Sequence, residues 1–253
     1  MPDAILWGLI QGLTEFLPIS SSGHLVLIPA LLGRDGPDLA TSAMLHLGTL
    51  AAVVAYYRAD LRTMARWDRP GRKLVTLIVL GTIPAAVLGF LFRDQLDTIN
   101  ETPRLVAVFL IITGVVLLAT TLLRIGDRRT SDLGVVDAGV IGVAQASALI
   151  PGISRSGMTI SAGLGRGMES IEAARFAFLL GIPAIAGGGA LSMLELFSDG
   201  GGSIPAATWV GVAVAALAGY AAIAILIRIL ARVGLAPFGI YCVAFGILAL
   251  VAL

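Results

Sequence analysis

The sequence is short of charge. Only 13% of its 253 residues are charged, against 57% hydrophobic, where soluble globular domains carry about 25% charged residues. That deficit excludes an ordinary soluble domain and makes the chain a polytopic membrane protein. A net charge of +1 supplies none of the concentrated basic surface that nucleic-acid binders carry, so nucleic acid is excluded as a partner. The one cysteine, Cys242, lies in an apolar run. It cannot form an internal disulfide, and the redox compartment cannot be read from it. The opening MPDAILWG has no basic n-region, and Gln11 soon interrupts its apolar stretch. No cleavable signal peptide is evident, and insertion is expected to rely on the spans themselves.

What the chain does contain is two polar stretches in apolar surroundings. Gln11–His24, QGLTEFLPISSSGH, carries a carboxylate, three consecutive serines and a histidine. Pro151–Thr159, PGISRSGMT, places an arginine between two serines. Ionisable side chains are costly in hydrocarbon, so each stretch points to function. The two together are expected to form one site.

A spanning helix needs about 20 mostly apolar residues. Six segments qualify: Ala40–Tyr57, Leu74–Phe92, Leu105–Leu123, Ala173–Phe197, Thr208–Ile229 and Pro237–Leu253. Ala4–Leu17 and His24–Leu32 are too short to cross and flank a Pro-Ile-Ser-Ser-Ser-Gly break. Val135–Ile150 and Met158–Leu164 repeat that layout around Pro-Gly-Ile-Ser-Arg-Ser-Gly. Both pairs read as re-entrant helix–loop–helix hairpins, whose exposed backbone is tolerated at membrane depth only against protein or a wet cavity. The fold expected is all-α: six transmembrane helices plus two re-entrant hairpins in a single membrane domain.

The hairpins are related. A shift of 134 residues pairs Asp3 with Asp137, Ala4 with Ala138, Gly8 with Gly142 and Gln11 with Gln145, then Ile19 with Ile153, Ser20 with Ser154, Ser22 with Ser156 and Gly23 with Gly157. Repeats over about 3–123 and 137–253 would each hold one hairpin and three spans, an odd number of crossings that inverts the second repeat. Charge agrees. The loop Arg58–Lys73 carries six basic residues, and Arg124, Arg128 and Arg129 mark another basic loop, as do Arg228 and Arg232. These loops are expected to be cytoplasmic, and Arg93–Arg104 and Ser198–Ala207 outside. The polar tips would then meet near the midplane, as in inverted-repeat folds. Gly8 with Gly12, and the glycines at 163, 165, 167 and 187–189, read as close helix contacts. Trp7, Trp67 and Trp209 read as interfacial, and Glu169, Glu172 and Glu195 as solvated or helix-capping.

Gln11 and Glu15 are four residues apart and share one helical face. Glu15 suits binding a divalent cation, orienting a histidine or acting as a base; the plainer alternative is a carboxylate bonded to Thr14 or to the broken backbone. Serines at such a break can simply satisfy stray backbone groups. His24 lies three or four residues from Ser20 and Ser21, placed to be a general base or itself the nucleophile. His46 stands alone at the head of an apolar span and reads as packing or interface. Arg155 presents paired donors suited to phosphate oxygens, or else forms a buried pair with Glu15 that holds the hairpins together. Ser154, Ser156 and Thr159, with the following helix N-terminus, would supplement an anion site. This set points to phosphoryl-group hydrolysis at a membrane.

These stretches resemble the two signatures of the bacterial undecaprenyl-diphosphate phosphatases, also called bacitracin-resistance proteins: an (E/Q)-x-x-x-E motif running into a Ser-rich, His-ending segment, and PGxSRSxxT. The likeness covers the whole chain. It implies removal of the terminal phosphate from the C55 isoprenyl diphosphate carrier at the bacterial plasma membrane, with a divalent cation (Mg²⁺ or Ca²⁺) and a homodimer among membrane lipids; by the charge argument the site is expected to open to the outer face. It also implies that Ser21, His24, Glu15 and Arg155 are catalytic. Gln11, Ser20, Ser22, Gly23, Ser154, Ser156 and Thr159 would line the substrate pocket. Glu15 would be a metal ligand, with Gln11 doubtful because it lacks the charge of a glutamate. On this resemblance Ser21 attacks with His24 as base, or His24 attacks and the serines bind. A rival of another class, a transporter or flippase of an anionic lipid or small anion, needs the anion site but no nucleophile. The K-x₆-R-P run of phosphatidic-acid phosphatases is absent, although Ser22-Gly23-His24 imitates part of that family's pattern.

Overall fold

Proline and serine set the breaks in this helical chain. The computed structural model describes residues 1–124, 126–198 and 205–253; the side chains of residues 39, 93, 94, 97 and 195–198 lie outside the described set. The helices are α1 (Pro2–Phe16), α2 (Ser21–Leu32), α3 (Leu39–Tyr56), α4 (Arg58–Ala65), α5 (Arg69–Leu91), α6 (Arg93–Asn100), α7 (Pro103–Ala119), α8 (Val135–Ser147), α9 (Arg155–Gly165), α10 (Ser170–Ser198), α11 (Ala206–Val233) and α12 (Ala236–Ala252). Among the described residues there is no strand, only an isolated bridge between Arg128 and Met168. Pro18 holds Leu17 extended (φ −63°, ψ 140°) and so ends α1. Ser20 restarts the helix as the N-cap of α2, its Oγ accepting from Gly23 N at 3.2 Å. The second break is built alike: Ser154 Oγ accepts from Gly157 N, also at 3.2 Å.

Among the described residues, four helices are long and apolar enough to cross a membrane: Arg69–Leu91, Pro103–Leu122, Ser170–Leu194 and Ala206–Val233. The pair α3–α4, bent by 75° at Tyr57, is a fifth candidate when taken as one broken span. The expected sixth, Pro237–Leu253, appears as the 17-residue α12, which rises only about 26 Å against a core of about 30 Å. Large apolar side chains face outward, with Phe90 86% and Val251 81% exposed, as a multi-pass membrane protein requires. The interior is closed by Phe16, Phe176, Phe178, Met44, Leu110 and Leu117, all buried.

The two hairpins dock in the same way. A Cβ on Gly8 of α1 would lie 2.5 Å from the carbonyl oxygen of Gly211 on α11. A Cβ on Gly142 of α8, its counterpart in the repeat, would lie 2.5 Å from that of Gly81 on α5. Small residues therefore bring each first hairpin helix onto a long span of the other half. At the mouths, Asp3 pairs with Arg34 at 2.8 Å and Asp137 with Arg166 at 2.7 Å, each joining the two helices of one hairpin.

Several expectations about the scaffold change. A Cβ on Gly165, Gly187 or Gly188 would meet nothing within 4 Å; on α10, Gly188 lines a cavity instead of making a helix contact, and Gly187 is exposed. Trp7 is buried against Leu45 and Ala215, so it is a packing residue, whereas Trp67 and Trp209 are exposed. Glu172 accepts from Thr130 N at 2.8 Å and from Arg175 Nη1 at 3.0 Å, and Arg175 also pairs with Asp60. Glu172 thus fastens a loop and α4 to α10 and is not simply solvated. The side chain of Glu195 and residues 199–204 of the expected outer loop lie outside the described set. The hydrophobicity pattern missed α4 and α6, both short and polar.

Hydrogen bonds from Arg128 hold the Asp137 carboxyl well below the usual carboxylate range against partial burial, with Gly134 N and Arg166 adding to the effect. A carboxyl lowered on folding contributes stability above its unfolded pKa of about 3.9 and loses it as pH falls toward the folded value. Asp137→Asn should therefore lower the melting temperature at neutral pH, with the gap to wild type closing below about pH 4. A gap unchanged on acidification would contradict this pairing.

Candidate active site

The two breaks meet. Ser156 Oγ donates to Leu17 O at 3.2 Å, tying the second tip to the first. Spans from opposite halves fasten them. On α7, Thr113 Oγ1 donates to Gly152 O at 2.9 Å and accepts from Ser154 N at 3.1 Å. On α12, Tyr241 and Cys242 contact the first break through His24 and Pro18 O. Gly152, at φ 94°, takes a left-handed turn that glycine adopts freely. Ser20 also has positive φ, 69° with ψ 100°, without that freedom. Strain of this kind persists where the surroundings over-determine it, and it concentrates at functional sites. It immediately precedes Ser21.

Glu15 is the hub of the junction. Its Oε2 accepts from Ser21 Oγ at 2.7 Å and Gln11 Nε2 at 3.0 Å, and its Oε1 from Arg155 Nη2 at 2.9 Å. A carboxylate with a charged partner and further donors is the arrangement in which a buried ion pair is tolerated. The serine and carboxylate come from the first break and the arginine from the second. Arg155 lies against α10 at Gly181, where any Cβ would overlap its Nη1, and that nitrogen is buried without a hydrogen-bond partner.

Beside this junction is a cavity of about 340 Å³. Of the residues the sequence nominated, Glu15, Ser20, Ser21, Ser22, Ser154 and Arg155 line it. Gln11 supports Glu15 from behind, and Gly23 packs on Gly152. Ser156 is spent on the tip contact, and Thr159 Oγ1 turns back to Arg155 O at 2.7 Å.

His24 is not brought to Ser21. Its Nδ1 bonds Ser20 O at 2.8 Å, its Nε2 bonds Tyr241 Oη at 2.7 Å, and its ring stacks on Phe245 at 5.0 Å. Both nitrogens are occupied, and the ring borders an apolar groove between α1, α2, α11 and α12 instead. The physical reason is the helix. Ser20 caps it and Ser21 begins it, so His24, three and four residues on, bonds back to the Ser20 carbonyl.

The imidazole at the cavity belongs to His46, which the sequence reading had left to packing. Its Nδ1 donates to Ser42 O at 2.8 Å, and its Nε2 lies 4.0 Å from Glu15 Oε2. Ser42, His46 and Thr49 recur at helical spacing on α3, a polar stripe in an apolar span that could have signalled it. Gln145, noted only as a repeat match, also lines the cavity.

Among the described residues, the donors at the cavity do not build a divalent-cation site. Among the described residues no three His, Cys, Asp or Glu side chains converge. Glu15, the one cavity carboxylate among the described residues, is already engaged by Arg155, Ser21 and Gln11.

A family model described as Bacitracin resistance protein BacA matches residues 4–248. The chain belongs to this family. Similar relatives within it include an undecaprenyl-diphosphatase of Rubrobacter xylanophilus, 41% identical over 264 residues that cover 99% of this chain and 96% of the relative. One of Alcanivorax borkumensis is 42% identical over 258 residues, covering 97% and 96%. An undecaprenyl-diphosphatase 4 of Bacillus cereus is 41% identical over 249 residues, covering 98% and 95%. The matched region of the bacitracin-resistance family takes in both hairpins and every residue of the cavity.

Proposed function

We propose that the chain is an undecaprenyl-diphosphate phosphatase that hydrolyses C55 isoprenyl diphosphate to the monophosphate and phosphate, recycling the envelope lipid carrier and conferring bacitracin resistance. The observation that carries this is the Ser21–Glu15–Arg155 constellation at the cavity, in a chain whose relatives bear that enzyme's name. Ser21 Oγ bonds to the terminal phosphorus as its proton passes to Glu15, and the bond to the lipid monophosphate breaks. Water then bonds to phosphorus, and phosphate leaves as Ser21 recovers its proton. Arg155 neutralises charge on the transferring group. His46 Nε2, 4.0 Å from Glu15 Oε2, is placed to exchange protons between Glu15 and the cavity. His24 positions the break.

In this reading α3, α5, α7, α10, α11 and α12 cross the bacterial plasma membrane, and α1–α2 and α8–α9 are inverted, re-entrant hairpins. The matched Ser20 and Ser154 caps, Gly8 and Gly142 contacts and mouth pairs support it. The Arg58–Lys73 loop is then cytoplasmic and the cavity opens to the outer face. Cysteines introduced there should label only from the cytoplasmic side; labelling from outside would reverse the topology. A divalent cation, if it takes part, would be carried by the diphosphate oxygens. Mg²⁺ titrated calorimetrically into substrate-free protein should therefore show no saturable binding, and a stoichiometric site would contradict this. A homodimer with lipid-facing apolar surfaces is retained, to be tested by light scattering of the detergent-purified protein. The function itself is tested by phosphate release from C55 diphosphate by purified wild type. Turnover is expected, and its absence with or without Mg²⁺ or Ca²⁺ would favour a binding or transport role.

A further inference from the structure

Gln145 stands out as a polar residue whose partner is missing. It is 2% exposed, it lines the cavity, and its Oε1 is buried with no hydrogen-bond partner. Its Nε2 has one contact, to Gly81 O, at 3.5 Å, the outer limit for such a bond. A buried amide left this poorly satisfied is destabilising, so its retention calls for another explanation.

The repeat supplies one. Gln145 corresponds to Gln11, which donates to Glu15 four residues along the same helix at 3.0 Å. The position corresponding to Glu15 in the second half is Leu149. Gln145 therefore has the amide of the first half without its carboxylate, and it faces the cavity that Arg155 and Ser21 also face. Rotation about its terminal torsion would present Nε2 to an anion there.

We propose that Gln145 is a substrate-binding residue whose amide contacts the terminal phosphate of the prenyl diphosphate, in the place that Glu15 occupies for Gln11. This rests on the phosphatase reading for the identity of the ligand, but the contact itself requires only a phosphate in the cavity. Gln145 and Arg155 together make the second half the phosphate-holding half, and the first half supplies nucleophile and base. A neutral amide adds a phosphate donor without adding charge to the cavity.

Two variants test it. Gln145→Leu removes the amide and keeps most of its volume; Gln145→Glu keeps the shape and places a negative charge against the phosphate. With C55 diphosphate, kcat/KM should fall about 10- to 100-fold in the leucine variant, mainly through KM, and further in the glutamate variant. A merely structural amide would not show the second signature. The leucine variant should melt at or above the wild-type temperature, because an unsatisfied buried amide is gone, while stabilisation by inorganic pyrophosphate is reduced.

Wild-type kcat/KM and a wild-type pyrophosphate shift in both variants would overturn the proposal. So would a leucine variant that loses activity together with melting temperature while the glutamate variant keeps both. Lack of turnover by the wild type would instead count against the phosphatase reading, and the pyrophosphate shift would still decide whether Gln145 holds phosphate.

Discussion

Arg155→Ala is expected to lower phosphate release by about 10³- to 10⁵-fold, the range for an arginine that stabilises a transferring phosphoryl group. It should also destabilise the protein. Arg155 Nη2 is 2.9 Å from Glu15 Oε1, and the carboxylate side chain is only 6% exposed. Removing the cation leaves a buried charge uncompensated, a change that costs about 3–5 kcal/mol at comparable sites. The two losses are separable. Adding Glu15→Gln to Arg155→Ala should recover much of the melting temperature and none of the activity. Arg155→Lys should restore more stability than activity, because lysine lacks the planar paired donors. Full activity in Arg155→Ala, measured as phosphate release at saturating substrate, would reduce the pair to a tie between hairpins.

Ser21→Ala should cost activity comparably, about 10⁴-fold or more if Ser21 is the nucleophile, with a different stability signature. Its hydroxyl makes one bond at the cavity, to Glu15, and Glu15 keeps Arg155 and Gln11 when it is removed. The melting temperature should therefore change little. An inactive but normally folded Ser21→Ala beside a destabilised Arg155→Ala would separate chemistry from scaffold. A fall of only a few-fold in Ser21→Ala would mean that water, not serine, attacks phosphorus.

The breaks were legible because proline, glycine and serine leave local marks. Pro18 and Pro151, and the Ser20 and Ser154 caps that a shift of 134 residues pairs, each act within a few residues of chain. The meeting of Glu15 with Arg155 was also legible, since two costly opposite charges in apolar surroundings favour each other. His24 and His46 were not. Sequence proximity puts His24 beside the serines, but one helical turn returns its ring to the Ser20 carbonyl, and Tyr241 on α12 takes its other nitrogen. That partner is 217 residues away. His46 reaches Glu15 because α3 packs across the hairpin; the stripe of Ser42, His46 and Thr49 marks a polar face on α3 but not what that face meets. The glycines of α10 were misread for the same reason: whether a small residue admits a helix or a cavity depends on what lies opposite. Gln145 was visible as half of a repeat, but its missing partner shows only beside Gln11 in three dimensions.

The most direct test of the shared site is acid-quench trapping of the phosphoenzyme from C55 diphosphate labelled in its terminal phosphate, followed by mapping of the adduct. The label should appear on Ser21 in the wild type and be absent from both Ser21→Ala and Arg155→Ala. Label on His24, or undiminished label in Arg155→Ala, would contradict a single phosphatase site assembled from the two breaks.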